Sequence, residues 1–468
     1  MRRVPAKAAT IHEHMGKKLV SHYVCQQCGA TRSKWAGKCD ECNAWNSFVE
    51  EVLASSAGAG VVAQSRGVAL KPVPIADVLP SDEAGRISTG IADVDGVLGG
   101  GVVPASVILL AGQPGIGKST LLMQLAFEVA REHPVLYVSG EESAGQVKVR
   151  ATRLGAGHES LELVSSVSAD DIAATIRTGR YALVIVDSIQ TLSMAELSSA
   201  AGSVGQITNA SNLLTQAAKS TNTALLLVGH VTKEGSIAGP KVLEHMVDVV
   251  LSLEGDRYGG FKLLRAVKNR YGSTNEVAIF EMDDAGLRPV LNPSAALLEE
   301  RMTTDGSVVL ATMEGSRPLL VEIQALVTKT HFGYPKRTAS GFDLNRLNVL
   351  IAVLERRTKL ELFESDVYIN VVGGMKLQDP AADLAVCMAI GSAAKGLKLK
   401  QNAVVFGEVG LSGEVRHVIG IDKRVSEAKK LGFDAALGPV QKPDKKVSLL
   451  VGVSDVRSAL NHFLEKNS

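Results

Sequence analysis

The stretch that most constrains this chain is Gly112-Gln113-Pro114-Gly115-Ile116-Gly117-Lys118-Ser119-Thr120. It fits the spacing G-x-x-x-x-G-K-[ST], in which backbone N–H groups wrap a chain of phosphates. Such a chain carries several negative charges and must be approached closely by the backbone. Glycine permits this, because it lacks a Cβ and adopts dihedrals closed to other residues. Lys118 is placed to reach the β- and γ-phosphates, and the Ser119 hydroxyl to ligate Mg²⁺. The flanks agree with the motif. Val107 to Ala111 reads as a buried strand, and Leu121 to Arg131 as a helix whose N-terminus faces the phosphates.

From Val78 to about Asp284, apolar runs alternate with helical stretches, the pattern of an α/β domain with a largely parallel sheet. Three of the runs end in polar residues. Val135 to Ser139 leads into Gly140-Glu141-Glu142, Tyr181 to Asp187 ends on a carboxylate, and Ala224 to His230 ends on an imidazole. Ligands of open α/β sheets bind outside the carboxyl ends of the strands, so Glu141, Asp187 and His230 are expected to face the nucleotide. Asp187 suits the Mg²⁺ shell, and Glu141 is placed to orient or deprotonate an attacking water. A turn or capping role is the alternative for Glu141, and Glu142 is the neighbour it can be confused with.

Four of the five cysteines fall within residues 25–42, which is not how a disulfide scaffold spreads its bridges. Cys25 and Cys28 form one CxxC pair, and Cys39 and Cys42 the other. Four thiolates so spaced close a tetrahedral zinc site with no open position, so the metal is expected to be structural. A redox pair or two disulfides are the competing readings. Such a small segment cannot fold on apolar burial alone, and metal binding would supply the free energy. The fifth, Cys387, lies in an apolar run and reads as a buried structural thiol.

The net charge is only +1, so any nucleic-acid binding must come from local patches. Residues 1–45 hold eight Lys/Arg against three Asp/Glu, an excess that either touches nucleic acid or forms a solvated face. No apolar run approaches the ~18 residues a bilayer span needs, and the N-terminus lacks the apolar core of a secretory signal. The expectation is a cytoplasmic protein with no membrane partner.

Two long segments leave the strand ends: residues 191–209, rich in Ser, Ala and Gly, and residues 231–244, carrying Lys233 and Lys241. Both read as loops that could grip a polymer or be ordinary surface. Lys268-Asn269-Arg270-Tyr271-Gly272 follows a strand over 261–267. Cations at i and i+2 of a strand end project the same way, but from spacing alone a solvated pair is the better reading. Beyond residue 290 the chain reads α+β: helices over 347–357 and 381–395, a strand over 367–372, a strand–turn–strand from Val404, and a final helix over 422–431.

Together, the paired CxxC knuckles, the glycine loop, Lys268 to Gly272 and the C-terminal third resemble the bacterial RadA (Sms) family over nearly the whole chain. The pentapeptide is similar to the family's K-N-R-F-G signature, with Tyr271 in place of Phe. The first ~20 residues lie outside the resemblance; the segment 1–22 reads as a solvated basic tail, and the small, polar, weakly patterned stretch after the knuckles reads as a linker over 51–71. The resemblance implies a C4 zinc ribbon over 23–50, a RecA-like P-loop ATPase domain over 72–285, and a Lon-protease-like domain over 286–468. In the related ring ATPases, the glutamate after the second strand is the catalytic base, matching Glu141. Two basic residues at such a strand end act on the neighbour's ATP, matching Lys268 and Arg270. The Ser-Lys dyad of Lon maps to Ala381 and Asp422, with Lys423 adjacent. Alanine supplies no nucleophile, so peptidase activity is expected to be absent.

The resemblance further implies a DNA-dependent ATPase of recombinational DNA repair. It would be a homo-hexameric ring on single-stranded and branched DNA, promoting branch migration with a RecA-type recombinase. ATP is expected over GTP, because no N-K-x-D follows the glycine loop. Lys233, Lys241, Lys329, Lys336, Arg337 and Arg346 are the candidate DNA contacts. The alternatives are a nucleotide-switched scaffold and, against the evidence of Ala381, a Lon-type protease.

Overall fold

The computed structural model describes residues 20–25, 29–45, 47–53, 74, 85–231, 237–238, 242–255, 261–331, 333–399, 402–441 and 447–466. The tail over 1–19, most of the expected linker, Cys28, Lys233 and Lys241 lie outside these residues.

At the N-terminus, β1 (Val20–Cys25), β2 (Thr31–Arg32) and β3 (Phe48–Leu53) form an antiparallel sheet of order β2-β1-β3. Among its described residues, Cys25, Cys39 and Phe48 form the buried cluster and Val24 is buried beside it, too little apolar surface to hold the fold unaided.

The central unit comprises α1 (Ala92–Leu98), β4 (Val107–Gly112), α2 (Lys118–Ala130), β5 (Val135–Ser139), α3 (Ala144–Arg153), β6 (Leu161–Ser165), α4 (Ala169–Thr178), β7 (Leu183–Asp187), α5 (Val204–Ser220), β8 (Ala224–Val231), β9 (Ile237–Ala238), α6 (Val242–Met246), β10 (Val249–Gly255), β11 (Lys262–Asn269), β12 (Val277–Asp283) and β13 (Gly286–Pro289). The strands order as β13-β12-β11-β10-β4-β8-β7-β5-β6, with β9 on β8. From β10 to β6 every pairing is parallel, while β11, β12 and β13 continue antiparallel. Strands β4, β5 and β7 are buried at every position, as expected of a sheet covered on both faces. Alternation along β4 sends Ile108 and Leu110 into the core under α2 and Val107 and Leu109 into the core under α4 and α5.

The C-terminal unit comprises α7 (Pro293–Leu298), β14 (Ser307–Glu314), β15 (Arg317–Lys329), β16 (Arg337–Ser340), α8 (Leu344–Thr358), β17 (Ser365–Val371), α9 (Ala382–Lys395), β18 (Leu397–Leu399), β19 (Ala403–Val405), β20 (Glu408–Val409), β21 (Val415–Arg416), α10 (Ile421–Lys430), β22 (Ala435–Pro439), β23 (Leu450–Val453), α11 (Val456–Phe463) and β24 (Leu464–Lys466). Its mixed sheet orders as β16-β17-β15-β14-β19-β22-β23 around the almost wholly buried α9. The same core takes in Leu263 and Ile279 of β11 and β12, so the two units share apolar packing.

Three expectations need correction. Residues 204–209, expected in a loop, form the first turns of α5, which the Ser203 side chain caps through the Gln206 N–H. The strand–turn–strand from Val404 is a strand, β19, followed by a separate hairpin, β20–β21. The helix over 422–431 is not the last. α11 follows, capped by Asp455 and burying Val456, Ala459 and Leu460 at helical spacing. Its eight residues are too few to give a strong periodic signal.

Candidate nucleotide site and metal centre

The glycine loop leaves the carboxyl end of β4 at the middle of the sheet. Gly115 and Gly117 have φ of +78° and +114°, dihedrals that need glycine. A Cβ on Gly112 would lie 2.7 Å from the Leu253 carbonyl oxygen. No side chain caps α2, so the N–H groups of its first turn point into the loop and suit a phosphate. Lys118 is buried, and its Nζ donates to the carbonyls of Gly112 (2.9 Å) and Gln113 (3.1 Å). Burial lowers its pKa, against the opposing fields of Asp187 and Glu141. Those two carboxylates therefore lie close enough to feel the loop's cation. Gln113, Pro114 and Gly115 are exposed, Ile116 is buried beneath them, and Ser119 and Thr120 are half-buried at the start of α2.

Around the loop, the strand register fixes the other groups. Ser139 of β5 pairs level with Asp187 of β7, and Gly112 with His230 of β8, so three strand ends converge. Asp187 is buried and accepts a 2.8 Å hydrogen bond from the Tyr137 hydroxyl. Burial first, then the adjacent Asp187 charge, pushes the Tyr137 pKa well up, so it remains a donor. Glu141 accepts from the Ser188 hydroxyl at 2.6 Å. Glu142 is held elsewhere: both its oxygens bind Arg150, and its backbone N–H donates to the Ser139 hydroxyl at 3.0 Å. Of the two glutamates, Glu141 is thus the one whose charge reaches Lys118.

The pentapeptide is built differently. Lys268 donates to the carbonyls of Glu244 and Val247, both at 2.7 Å, at the end of α6. Asn269 donates to the Val97 carbonyl, and Gly272 lies against Gly99 so closely that a Cβ would come within 2.8 Å of its Cα. Only Arg270 projects outward. It is 58% exposed and pairs at 3.0 Å with the buried Asp248, which also accepts from the Val107 N–H. Because β11 runs antiparallel to β10, Asn269 is level with Val249 and hence with Ile108. That is four residues, about 13 Å, from Gly112 along the sheet. Lys268 and Arg270 therefore sit at the edge opposite their own chain's glycine loop.

In the N-terminal sheet the sulfurs of Cys25, Cys39 and Cys42 lie within 4.8 Å of one another. Two turns of one design present them: Gly29 N–H donates to Cys25 O and Cys25 N–H to Ala30 O, and Asn43 N–H donates to Cys39 O and Cys39 N–H to Ala44 O. The Cys25–Cys42 sulfur separation of 3.6 Å is near the ~3.8 Å edge of a tetrahedron with 2.3 Å zinc–sulfur bonds. These residues fit structural zinc. Chelation is expected to strip hydrogen-exchange protection from the paired amides of β1 and β3 while nucleotide binding persists. Unchanged protection after complete metal removal would contradict a structural role.

In the C-terminal unit, Ala381 is wholly buried, and the space beside it holds an ion pair between Asp379 and the fully buried Arg424 at 2.8 Å. Arg424 Nε also donates to the Ile419 carbonyl, and its guanidinium lies 5.7 Å from the Phe406 ring. Asp422 is exposed, and Lys423 donates to the Ser316 carbonyl at 3.0 Å. Among the DNA candidates, Lys329 is exposed at the end of β15 and the Lys336 N–H donates to Asp366. Arg337 donates to the Leu362 and Ser365 carbonyls, and Arg346 binds Asp383 and the Val409 carbonyl.

Sequence reasoning missed Tyr137, Ser188, Asp248, Asp379 and Arg424. Two of them carried a signal. The Tyr137 hydroxyl, set between Leu136 and Val138 in an apolar strand, must find a partner when buried, and Ser188 directly follows a strand-end carboxylate.

Fold and site together define a RecA-like P-loop ATPase that carries a zinc ribbon and a Lon-protease-like α+β unit. A family model described as an AAA domain matches residues 74–236, one described as a rubredoxin metal binding domain matches 23–50, and one described as subunit ChlI of Mg-chelatase matches 346–442. The DNA repair protein RadA of Bacillus subtilis is 47% identical over 455 residues, covering 96% of this chain and 99% of that protein. RadA of Halalkalibacterium halodurans is 46% identical over 458 residues, covering 95% and 99%. The chain belongs to the RadA family of DNA repair proteins. Among solved structures, the RadB recombinase aligns with a TM-score of 0.36 at 23% identity, covering 44% of this chain and 99% of that one.

Proposed function

We propose that this protein is a DNA-dependent ATPase of recombinational repair that works as a homo-hexameric ring. It would act on single-stranded and branched DNA and promote branch migration with a RecA-type recombinase. The observation that carries this reading is the position of Arg270. Its guanidinium projects from the sheet edge opposite the chain's own glycine loop, braced by Asp248. A cation there serves hydrolysis only by reaching a neighbouring subunit's nucleotide, and a ring gives every subunit such a neighbour.

In this reading, the loop from Gly112 to Thr120 holds the phosphates and Lys118 leaves its carbonyl partners to bind them. Ser119 and Asp187 hold Mg²⁺, with Tyr137 fixing the Asp187 carboxylate. The bound ion would screen charge on the β- and γ-phosphates. Glu141, oriented by Ser188, prepares the attacking water, and Arg270 acts from the adjacent subunit, joined by Lys268 once it leaves the Glu244 and Val247 carbonyls. The C-terminal unit serves as ring scaffold and DNA-facing surface. Peptidase activity is absent in this reading, since Ala381 offers no nucleophile and Arg424–Asp379 fills the space beside it. Lys118→Ala is expected to abolish ATP hydrolysis; a wild-type rate in that variant would overturn the assignment.

A further inference from the structure

A cavity of 490 Å³ opens beside the glycine loop, between the ATPase sheet and the C-terminal unit. Gln113 and Ile116 of the loop form one wall, Leu253 and Arg265 of β10 and β11 form a second, and Met375 and Lys376, just before α9, form the third. The third wall is fixed to the ATPase sheet. Leu263 and Ile279 share one core with Leu310 and Leu320, and Arg265 pairs with both Glu254 (3.3 Å) and Glu314 of β14 (3.5 Å).

The lining has a definite chemistry. Ile116, Leu253 and Met375 offer apolar surface and a thioether, which suits the face of an aromatic ring. Lys376 is exposed, and Gln113, Ser252 and Gln378 add uncharged polar groups that can bond a ribose hydroxyl or a ring nitrogen. The volume falls in the usual range for small-molecule sites. The loop amides and Lys118 account for the phosphates of a bound nucleotide but leave its base and ribose unheld, and this cavity shares residues with that loop.

We propose that the nucleoside half of the nucleotide occupies this cavity. Met375 and Lys376 of the C-terminal unit then hold the same molecule whose phosphates lie on the glycine loop of the same chain. The inference rests on the reading of that loop as the nucleotide site. It gives the C-terminal unit a direct contact with bound nucleotide and makes Lys376 a specificity-determining residue: its ammonium faces the ring or a ribose hydroxyl rather than the phosphates.

The test is equilibrium binding of ATP, ADP and inorganic tripolyphosphate to full-length wild type, Lys376→Ala and Lys118→Ala. Lys376→Ala is expected to weaken ATP and ADP about tenfold, the loss of one cation–ring or charged hydrogen-bond contact, and to leave tripolyphosphate unchanged. Lys118→Ala should weaken all three. Hydrogen exchange of the unmutated chain gives a second readout, with ATP but not tripolyphosphate protecting amides over 374–378. If Lys376→Ala binds ATP normally, or loses tripolyphosphate equally, while Lys118→Ala loses all three, the nucleoside placement is wrong and the loop assignment stands. If Lys118→Ala binds every ligand normally, the loop assignment falls and the inference with it.

Discussion

Glu141→Gln is expected to slow ATP hydrolysis about 10²–10⁴-fold while leaving ATP binding intact, the range for loss of a positioned general base. Glu142→Gln is expected to hydrolyse at close to the wild-type rate. The two residues are adjacent in sequence yet face different partners. Glu141 accepts from the Ser188 hydroxyl and acts electrostatically on Lys118, whereas Glu142 is spent on Arg150 and on the turn that starts α3. Single-turnover hydrolysis alongside nucleotide binding separates them. A deep loss in Glu142→Gln with a near-normal Glu141→Gln would reverse the assignment.

The second large effect concerns stability. Asp379→Ala is expected to destabilise the C-terminal unit by about 3–5 kcal/mol, because it strands the guanidinium of Arg424 where water cannot reach it. Hydrogen exchange at the amides of α9 and α10 would measure this, with a loss below about 1 kcal/mol contradicting the account. The pair also sets a pH dependence. Burial raises the Asp379 carboxyl pKa, but Arg424 and the N–H groups of Ala381 and Met313 outweigh burial and hold it below its ordinary value. Stability from this pair is therefore full above the unfolded value of about 3.9 and is lost as pH falls through the lower folded one.

Much of this could be read from the chain, for reasons that differ from residue to residue. The glycine loop announced itself because phosphate binding fixes both residue type and spacing, and the apolar run before it placed a central strand. Strand-end logic agrees with the fields of Glu141 and Asp187 at Lys118 and with the backbone of His230 lying level with Gly112, since parallel strands align their carboxyl ends. The CxxC spacing pointed to the cluster of Cys25, Cys39 and Cys42. What was not legible depended on contacts between segments distant in sequence. Tyr137 meets Asp187 across 50 residues, and Asp248 meets Arg270 only because β10 and β11 pair in one register. Arg424 is the sharpest case. A charged residue on an amphipathic helix reads as solvent-facing, yet it is wholly buried, because Asp379 arrives from the turn before α9. Periodicity also failed where elements are short, as in α11 and the β20–β21 hairpin.

The central claim is a ring motor whose nucleotide is completed by a neighbour. Its most direct test is steady-state ATP hydrolysis with and without single-stranded DNA, for wild type and Arg270→Ala, at two salt concentrations. The account predicts that DNA stimulates the wild type, less so at high salt, because releasing condensed counterions into a more concentrated solution gains less free energy. It also predicts that Arg270→Ala loses about 10³-fold or more of the stimulated rate, the scale of an arginine acting in trans. Equal, unstimulated hydrolysis by both proteins would contradict it and favour a nucleotide-switched scaffold.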